Sequence, residues 1–267
     1  MSLGEQIQSF FNYDTILSRI AVFIIIIIVF VVFMHIGFGI ISFITKPSSS
    51  PYLIKGMVNA EHQIVIPQNP NQQGAIPIIR SQNQNHGMEF TWSVWINISD
   101  LQYGYGKYKH IFHKGNDGIQ YNDSGLNFPN NAPGLYISPT TNSLVVIMNT
   151  YTTINEEITI PDIPLNKWIN VIIRVEGNDL DVYINGTIAK RHHLSDVAKQ
   201  NYGDVYVAMN GGFNGYISSL RYFSYAAQPG EIQSIVEKGP SLTMAKYDNM
   251  DAVPPYLSLR WYFQGPS

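Results

Sequence analysis

The sequence contains no cysteine among its 267 residues, and only 13% of its residues are charged. The lack of cysteine excludes disulfide bonds, cysteine nucleophiles and thiolate metal sites together. The net charge is only −3, so the chain has no excess of Lys and Arg with which to neutralise nucleic-acid phosphates. We therefore predict no nucleic-acid partner. Scarce charge and many turn-forming residues favour an all-β domain over a helical one.

Charge is also missing from one long stretch near the N-terminus. Between Arg19 and Lys46 no residue is charged, and His35 is the only ionisable one. The apolar run at residues 20–44 would form a helix of roughly 37 Å, longer than the hydrocarbon core of about 30 Å. We predict an N-terminal segment, residues 1–19, followed by a single-pass transmembrane helix, residues 20–45, in a lipid bilayer. A cleaved signal peptide is the competing interpretation, but its apolar core is usually about 7–15 residues long.

The pattern changes after the apolar run. Residues 46–51, KPSSSP, form a predicted linker because Pro and Ser resist helix continuation. Beyond the linker the hydrophobic period is two, which predicts one β-sandwich over residues 52–267. The clearest local element is the hairpin LDVYINGTIAKR, in which Asn185-Gly186 predicts a type I′ turn.

One short helix, near residues 229–238, interrupts the β pattern. Pro229 lies in its first turn and Gly239-Pro240 ends it. Ile232, Ile235 and Val236 share one face, so we expect this helix to pack on the sandwich and to carry no chemistry of its own.

A C-terminal extension, residues 241–267, ends in the unusually apolar sequence VPPYLSLRWYFQGPS. Leu257, Leu259 and Trp261 alternate there with more polar residues, as in a strand. Two interpretations stay open. This segment is either the last strand of the sandwich or a strand that docks on a neighbouring protein through an open sheet edge.

Four segments follow one another in an order typical of a known fold: MEFTWSVWINI, HIFHKG, LNKWINVIIRVEGNDLDVYINGTIA and GGFNGYISSLRYFSYAAQPGEIQSIVEKGP. Together they resemble concanavalin A-like (laminin G-type) jelly-roll domains, over about Tyr52 to Pro240. The predicted fold class is therefore an all-β jelly-roll sandwich preceded by one transmembrane α-helix. Members of this family bind glycans, bind proteins, hydrolyse β-glucans or serve as structure, so the resemblance does not choose among these functions.

A short anchor followed by such a domain also resembles virion proteins of large icosahedral DNA viruses, which carry an internal membrane beneath the capsid. This second resemblance implies a minor capsid or virion membrane protein. The sandwich would then face the capsid, and its partners would be capsid proteins and other structural proteins.

Catalysis in this family implies a Glu-x-Asp-x-x-Glu run on one strand, and the sequence contains none. Glu156 and Glu157 are adjacent, so a strand would point them to opposite faces. Asp179 and Asp181 share a face, and we interpret them as solvated charges at a strand edge. We therefore predict no catalytic residue and a non-enzymatic protein.

Metal binding has two candidate positions. His110 and His113 are three residues apart, so in a regular strand they face opposite ways and cannot share an ion without a bulge. Asp117, Asn122 and Asp123 offer oxygen donors on one loop, and the family resemblance implies that such side chains can hold calcium. Their spacing fits no defined calcium loop, and a polar turn capped by Asx hydrogen bonds is the other interpretation. Calcium is the one cofactor that the sequence leaves open.

Loop tyrosines are the candidate ligand-binding residues. Tyr103, Tyr105 and Tyr108 lie among glycines, and Tyr151 lies in a second polar stretch. Tyrosines on loops can stack on a glycan, but protein interfaces use them equally. Two hypotheses follow. The chain is a non-enzymatic structural or assembly protein that tethers a bilayer to a protein shell, or it is a membrane-bound, lectin-like protein that binds carbohydrate.

Overall fold

The computed structural model describes residues 16–45, 47–81, 84–85, 87–119 and 123–245. Its first element is helix α1 (Ile16–Thr45), which begins four residues before the predicted start. Within the described residues, α1 is the one helix that is long and apolar enough to cross a membrane. Only 6% of its most apolar stretch is buried, whereas a core helix of a soluble protein is mostly buried. Its length and composition fit a membrane span, and a signal sequence is the alternative with the same properties.

The only ionisable side chain within the apolar run of α1 is satisfied inside the helix. His35 Nδ1 lies 2.9 Å from the carbonyl oxygen of Val31, one turn earlier. A hydrogen bond within the same helix lowers the cost of placing this imidazole in an apolar environment. This bond satisfies one of the two ring nitrogens of His35.

Among the described residues, two six-stranded antiparallel sheets form the sandwich and confirm the predicted all-β fold class. The first sheet has the order β1-β12-β3-β8-β9-β10, and the second has the order β2-β11-β4-β5-β6-β7. The strands are β1 (Met57–Asn59), β2 (Ile64–Ile66), β3 (Glu89–Asp100), β4 (Lys109–Gly115), β5 (Gly134–Ile137), β6 (Ser143–Met148), β7 (Glu156–Pro161), β8 (Trp168–Glu176), β9 (Asp179–Ile184), β10 (Thr187–His193), β11 (Asp204–Val207) and β12 (Asn214–Phe223). Helix α2 (Pro229–Lys238) follows β12, as predicted.

The core lies between the two sheets and is built by the alternation of β3. Trp92, Val94 and Ile96 all point inward and are almost fully buried. The Trp92 ring stacks on Phe112 of the second sheet at 5.2 Å and meets Tyr222 edge-to-face at 5.1 Å. These aromatic pairs join the sheets at their centre and hold β12 in register beside β3.

The predicted hairpin is confirmed between β9 and β10. Asn185 has a φ of 51° and Gly186 a φ of 81°, the two positive values that a type I′ turn requires. Asn185 donates its backbone N–H to the Asn170 carbonyl oxygen, and its Oδ1 accepts the Asn170 N–H. The turn is thereby fastened to β8.

One chain segment differs from the sequence interpretation, and a second one continues the sandwich. Ser49 and Pro51 were assigned to a linker, but their carbonyl oxygens accept hydrogen bonds from Ser224 and Tyr222 at the end of β12. The last part of the predicted spacer is therefore part of the sandwich. At the other end, the Ala245 N–H donates to Met57 of β1. The extension thus begins along the edge of the first sheet.

Candidate functional site

The outer face of the first sheet carries an aromatic ring beside a hydroxyl group. Because side chains alternate along β3, Ser93 and Trp95 point away from the core that Trp92 and Val94 enter. Trp95 is only 6% exposed, so most of its ring is already covered. The face therefore offers a partly buried apolar surface rather than a flat, solvated one.

A β-bulge in β12 adds a cation to this face. Ser218 pairs with Trp95 and Arg221 pairs with Ser93, so three residues of β12 span only two of β3. Ser219 has a φ of 52° at the bulge. The extra residue turns Arg221 outward, whereas regular alternation from Ser218 would have turned it into the core.

Helix α2 covers part of the same face and leaves a cleft beside it. Ile232 of α2 packs in a buried cluster with Ile172, Tyr183 and Ala227. The cleft has a volume of about 260 Å³. It is lined by Tyr52, Ser93, Trp95, Ser219 and Arg221 of the sandwich and by Glu231, Ser234, Ile235, Lys238 and Gly239 of α2 and its C-terminal end. We name it the α2 cleft. We expected this helix to pack on the sandwich and to carry no chemistry of its own. That expectation was incomplete, because α2 also contributes charged and hydroxyl groups to the lining of the cleft.

Two cations meet at the Tyr52 ring in the α2 cleft. The Arg221 guanidinium carbon lies 4.7 Å from the centre of the ring, and Lys238 Nζ donates to the Tyr52 hydroxyl at 3.1 Å. Burial by itself raises the pKa of Tyr52, but the hydrogen bond from Lys238 and the positive charges of Arg221 and Lys238 outweigh it and lower the pKa. The local potential at this end of the cleft is therefore positive.

Only one carboxylate, Glu231, is found among the described residues that line the α2 cleft, and its Oε1 accepts the Tyr225 hydroxyl at 2.8 Å. Retaining glycosidases need two carboxyl groups about 5–5.5 Å apart. The arrangement therefore suits binding through an apolar surface, hydroxyl groups and fixed charges.

The predicted ligand-binding tyrosines do not form one cluster. Tyr103 and Tyr105 lie in the turn before β4, whereas Tyr151 lies beyond the end of β6, at the opposite end of these strands. Tyr103 donates its hydroxyl to the Gly211 carbonyl oxygen, Tyr105 is 60% exposed and Tyr151 is 67% exposed. Tyr108 instead bends over the second sheet, where its hydroxyl donates to Glu157 Oε2. Their ligand-binding role stays a prediction, now as two separate surfaces.

Of the predicted calcium ligands that the structure describes, only Asp117 lines an open cleft at the sandwich rim. Asp117 lines this cleft together with Asp204 and Tyr206. Burial raises the pKa of Tyr206, and the negative charges of Asp204 and Asp117 raise it further. Asp123 lies exposed on a turn, and Asn122 falls outside the described residues. No group of three His, Cys, Asp or Glu suited to a metal occurs in the described part of the chain. Calcium binding stays a prediction.

The expectation that His110 and His113 face opposite ways is wrong. A bulge in β4 between His110 and Phe112 brings both rings to the outer face of the second sheet. There His110 Nε2 lies 2.7 Å from His113 Nδ1, and the rings meet at 80°. The tertiary structure thus pairs two residues that a regular strand would separate.

Hydrogen bonds use every ring nitrogen of this histidine pair. The Met209 N–H donates to His110 Nδ1, so His110 carries its proton on Nε2 and donates it to His113 Nδ1. His113 Nε2–H then donates to the Asn116 carbonyl oxygen at 2.9 Å. Both imidazoles are therefore neutral, and neither has a free nitrogen to offer a metal.

The acidic residues weighed for catalysis have structural partners. Glu157 bonds Tyr108 on the outer face, while Glu156 accepts from His192 at 2.7 Å and from the Ser195 hydroxyl at 2.6 Å. Glu156 and Glu157 thus point to opposite sides, as predicted. The Glu156 carboxylate stands between the hydroxyl and the imidazole, whereas a catalytic triad places the imidazole next to the nucleophile.

The expectation that Asp181 is a solvated edge charge is wrong. Its side chain is fully buried, and its two oxygens accept from Arg191 Nε at 2.6 Å and Nη2 at 2.8 Å. Arg174 approaches the same carboxylate at 3.5 Å. Asp179 is half-exposed and meets only His193 among the described residues. Both aspartates are thus held by basic side chains rather than facing a substrate.

The predicted docking residues Leu257, Leu259 and Trp261 lie outside the described residues. The residues that line the α2 cleft were missed by sequence reasoning for a different reason. The period-two pattern of β3 does place Trp95 outward, and that signal was available. Nothing local to Tyr52, Arg221 or Lys238 indicates that they meet.

Comparison with solved structures finds the fold in toxin binding domains. The ligand binding domain of botulinum neurotoxin serotype D, in complex with N-acetylneuraminic acid, matches with a TM-score of 0.51 and 14% sequence identity over 71% of this chain and 46% of that chain. The binding domain of botulinum neurotoxin DC, in complex with rat synaptotagmin II, matches with a TM-score of 0.47 and 16% identity over 66% and 40%. This chain thus spans less than half the length of either, and the similarity concerns the fold alone.

Comparison with curated proteins finds no significant match. A family model does match, over residues 71–233, which is more than half of the chain. The matched region runs from the segment before β3 into the first half of α2 and so includes strands β3 to β12. The protein belongs to the concanavalin A-like lectin/glucanases superfamily, in its laminin G-type branch.

Proposed function

We propose that this protein is a membrane-tethered, non-catalytic binding protein that recognises a saccharide in the α2 cleft. The observation that carries the proposal is the composition of that cleft. Trp95 and Ser93, both almost fully buried, form its floor. Tyr52 supplies aromatic surface and Ser234 supplies a hydroxyl group. Arg221 and Lys238 supply positive charges. Small-molecule sites combine mostly apolar walls with a few polar groups in this way.

The size of the α2 cleft restricts the ligand. Its volume of about 260 Å³ lies just below the roughly 300 Å³ at which sites for drug-sized ligands begin, so it suits one or two sugar rings. Membership of a superfamily that contains lectins supports this ligand class. A toxin domain of the same fold in complex with N-acetylneuraminic acid is consistent with it.

The absence of catalysis is part of the proposal. Glu231, the one carboxylate among the described residues of the cleft, has no second carboxyl group beside it to act as a nucleophile. The proposed role of α1 is to hold the binding domain at a bilayer. We expect saccharide binding without turnover of the bound glycan.

In the test, the full chain in micelles of a neutral detergent is applied to a glycan array. Its affinity for the glycan that binds best is then measured by titration. Ser234→Trp would fill the cleft from an exposed helical position, and it should abolish binding. Glu237→Trp adds the same ring to an exposed position of α2 that does not line the cleft, and it should bind as the wild type does. Equal binding by both variants would place any glycan site elsewhere, and glycan hydrolysis would contradict the non-catalytic role.

A structural role is the second candidate, and one surface favours it. Phe128, Tyr151 and Ile154 are each more than half exposed, on two loops joined by a hydrogen bond from Asn131 Nδ2 to Asn155 Oδ1. Apolar side chains presented on fixed loops suit a protein interface. In this role the chain would tether a bilayer to a protein shell, and the resemblance to virion proteins suggests capsid proteins as the partners.

Imaging of the chain in its native membrane or particle separates the two functions. A tether should appear in fixed stoichiometry, with the loops of Phe128 and Tyr151 against a neighbouring protein. Replacing Phe128 and Ile154 with Ser should then release the chain from that assembly and leave glycan binding intact. A free domain with no regular neighbour would contradict the structural role.

A further inference from the structure

Two cations, Arg221 and Lys238, and one carboxylate, Glu231, line the α2 cleft, so its described lining carries an excess of one positive charge. Neither Arg221 nor Lys238 forms an ion pair with a described carboxylate, whereas Arg174 and Arg191 each do. Arg221 donates from Nε and Nη2 to the backbone oxygen and hydroxyl of Ser50, both at 3.1 Å. The guanidinium also acts on the Tyr52 hydroxyl through a side-chain hydrogen bond. Arg221 is therefore held in place beside the Tyr52 ring.

The position of Arg221 is set by aromatic rings as well as by Ser50. Its guanidinium carbon lies 4.5 Å from the centre of the Phe223 ring and 4.7 Å from the centre of the Tyr52 ring. Stacking between two rings restricts a side chain that would otherwise be mobile, so less entropy is lost when a ligand binds. Arg221 is thus preorganised, which is unusual for an arginine that lacks a carboxylate partner.

Lys238 provides a second charge on the opposite wall of the cleft. Its Nζ lies 5.3 Å from the centre of the Tyr52 ring and donates to the Tyr52 hydroxyl. The Lys238 side chain is exposed, so it can move toward a ligand at little cost. The lowered pKa of Tyr52, against the opposing effect of burial, is a second sign that both charges act on the same small volume.

We infer that the α2 cleft selects an acidic sugar, whose carboxylate or sulfate group is bound between Arg221 and Lys238. The inference rests on the proposed saccharide binding and adds the charge of the ligand. In this arrangement the anionic group accepts from the Arg221 guanidinium and Lys238 Nζ, and the sugar ring lies against the small exposed part of Trp95. The Ser93 hydroxyl, which accepts from Asn170 Nδ2, is only 2% exposed and belongs to the floor of the cleft.

The experiment titrates the full chain in neutral detergent with 3′-sialyllactose, with lactose and with sodium sulfate. The wild type should bind sialyllactose at least about tenfold more tightly than lactose, as expected for one added charge-assisted hydrogen-bonded contact. Lys238→Gln, a change at an exposed position, should lose most of this preference. Arg221→Gln should lose it as well, and Arg221→Lys should keep part of it.

A control that removes more charge than either test variant separates local recognition from general attraction. Lys107→Gln combined with Lys190→Gln removes two exposed positive charges outside the cleft and should leave the preference unchanged. Equal affinity for lactose and sialyllactose, or a preference that survives Lys238→Gln, would overturn the inference while leaving saccharide binding intact. Binding of sulfate as tight as that of sialyllactose would also overturn it, because the sugar would then contribute nothing. Failure to bind any glycan on the array would remove the proposed function itself.

Discussion

Two histidines of β4 are buried as neutral rings in a chain of hydrogen bonds from Met209 to Asn116. Burial, with a further contribution from the neighbouring His113, lowers the pKa of His110 well below its usual value of 6.5. Burial also lowers the pKa of His113 to about 4. The unfolded chain binds protons at both residues below pH 6.5, and the folded chain binds none until a much lower pH. Stability must therefore fall as the pH drops from 6.5 toward 4.

We predict that the free energy of unfolding falls by up to about 1.4 kcal/mol per pH unit for each of the two histidines between pH 6.5 and 5. Urea titrations of the full chain in detergent, at half-unit pH intervals, would measure the slope. His113→Gln removes one titrating group and should reduce the slope. His193→Gln, at an exposed position, should not. The same slope in all three proteins would mean that other groups cause the acid sensitivity.

Asp181 and Asp179 lie on the same strand but in different environments. Asp181 is fully buried against Arg191 and Arg174, whereas Asp179 is 53% exposed beside His193. Removing one partner of a buried ion pair costs about 3–5 kcal/mol. We expect Asp181→Asn to lie at the low end of that range, because Arg191 still reaches solvent and Arg174 keeps Glu176. Asp179→Asn should cost about 0–1 kcal/mol. Equal midpoints in urea for the two variants would contradict this difference.

At the scale of elements, the turn of the β9–β10 hairpin packs closely against α2 at Gly186. A Cβ atom added to Gly186 would lie 3.3 Å from Val236 Cγ2 and 3.4 Å from Gln233 Oε1, at a φ of 81°. Gly186→Ala should therefore destabilise the protein by about 1–2 kcal/mol. Gly230→Ala has no atom within 4 Å of its added carbon and should be neutral or slightly stabilising, because alanine favours a helix. Thermal unfolding of the two variants measures this difference in stability. A Gly186→Ala protein that unfolds at the wild-type temperature would contradict the prediction.

Strands, turns and helices were predictable where the pattern that indicates them lies within a few residues of sequence. The period of two in β3, the Asn185-Gly186 turn and the Pro229 and Gly239 limits of α2 all appear in the structure. The β-bulges between His110 and Phe112 and between Ser218 and Arg221 were not predictable, because no residue type marks the insertion of one residue into a strand. Those bulges decide that His110 meets His113 and that Arg221 faces outward beside Ser93. The position of each bulge is determined by the residues with which the strand pairs in its neighbours, not by the sequence of the strand itself.

At the scale of the whole molecule, the proposed membrane anchor is open to a direct test. The full chain should sediment with membranes, resist extraction by high salt and alkaline carbonate, and dissolve in detergent. Ile26→Lys combined with Val29→Lys places two positive charges in the apolar run. Each lysine should raise the free energy of membrane insertion by about 2.5–3.5 kcal/mol, so the double variant should not insert. Ile26→Leu combined with Val29→Leu is the control and should insert. A mature N-terminus located after Thr45 would identify a cleaved signal sequence instead.

The sequence by itself determined the properties that follow from composition and from near neighbours along the chain. These are the apolar helix, the β-sandwich with its hairpin and its family, and the lack of thiol chemistry, because periodicity and residue type are local quantities. Only the tertiary structure decided where charges and rings meet. Tyr52 and Lys238 are 186 residues apart, and they share the α2 cleft only because the chain after α1 and helix α2 both return to β12. Such contacts depend on the order of the strands in the sheet and on the positions of the bulges. The sequence of one strand does not specify which strand lies beside it.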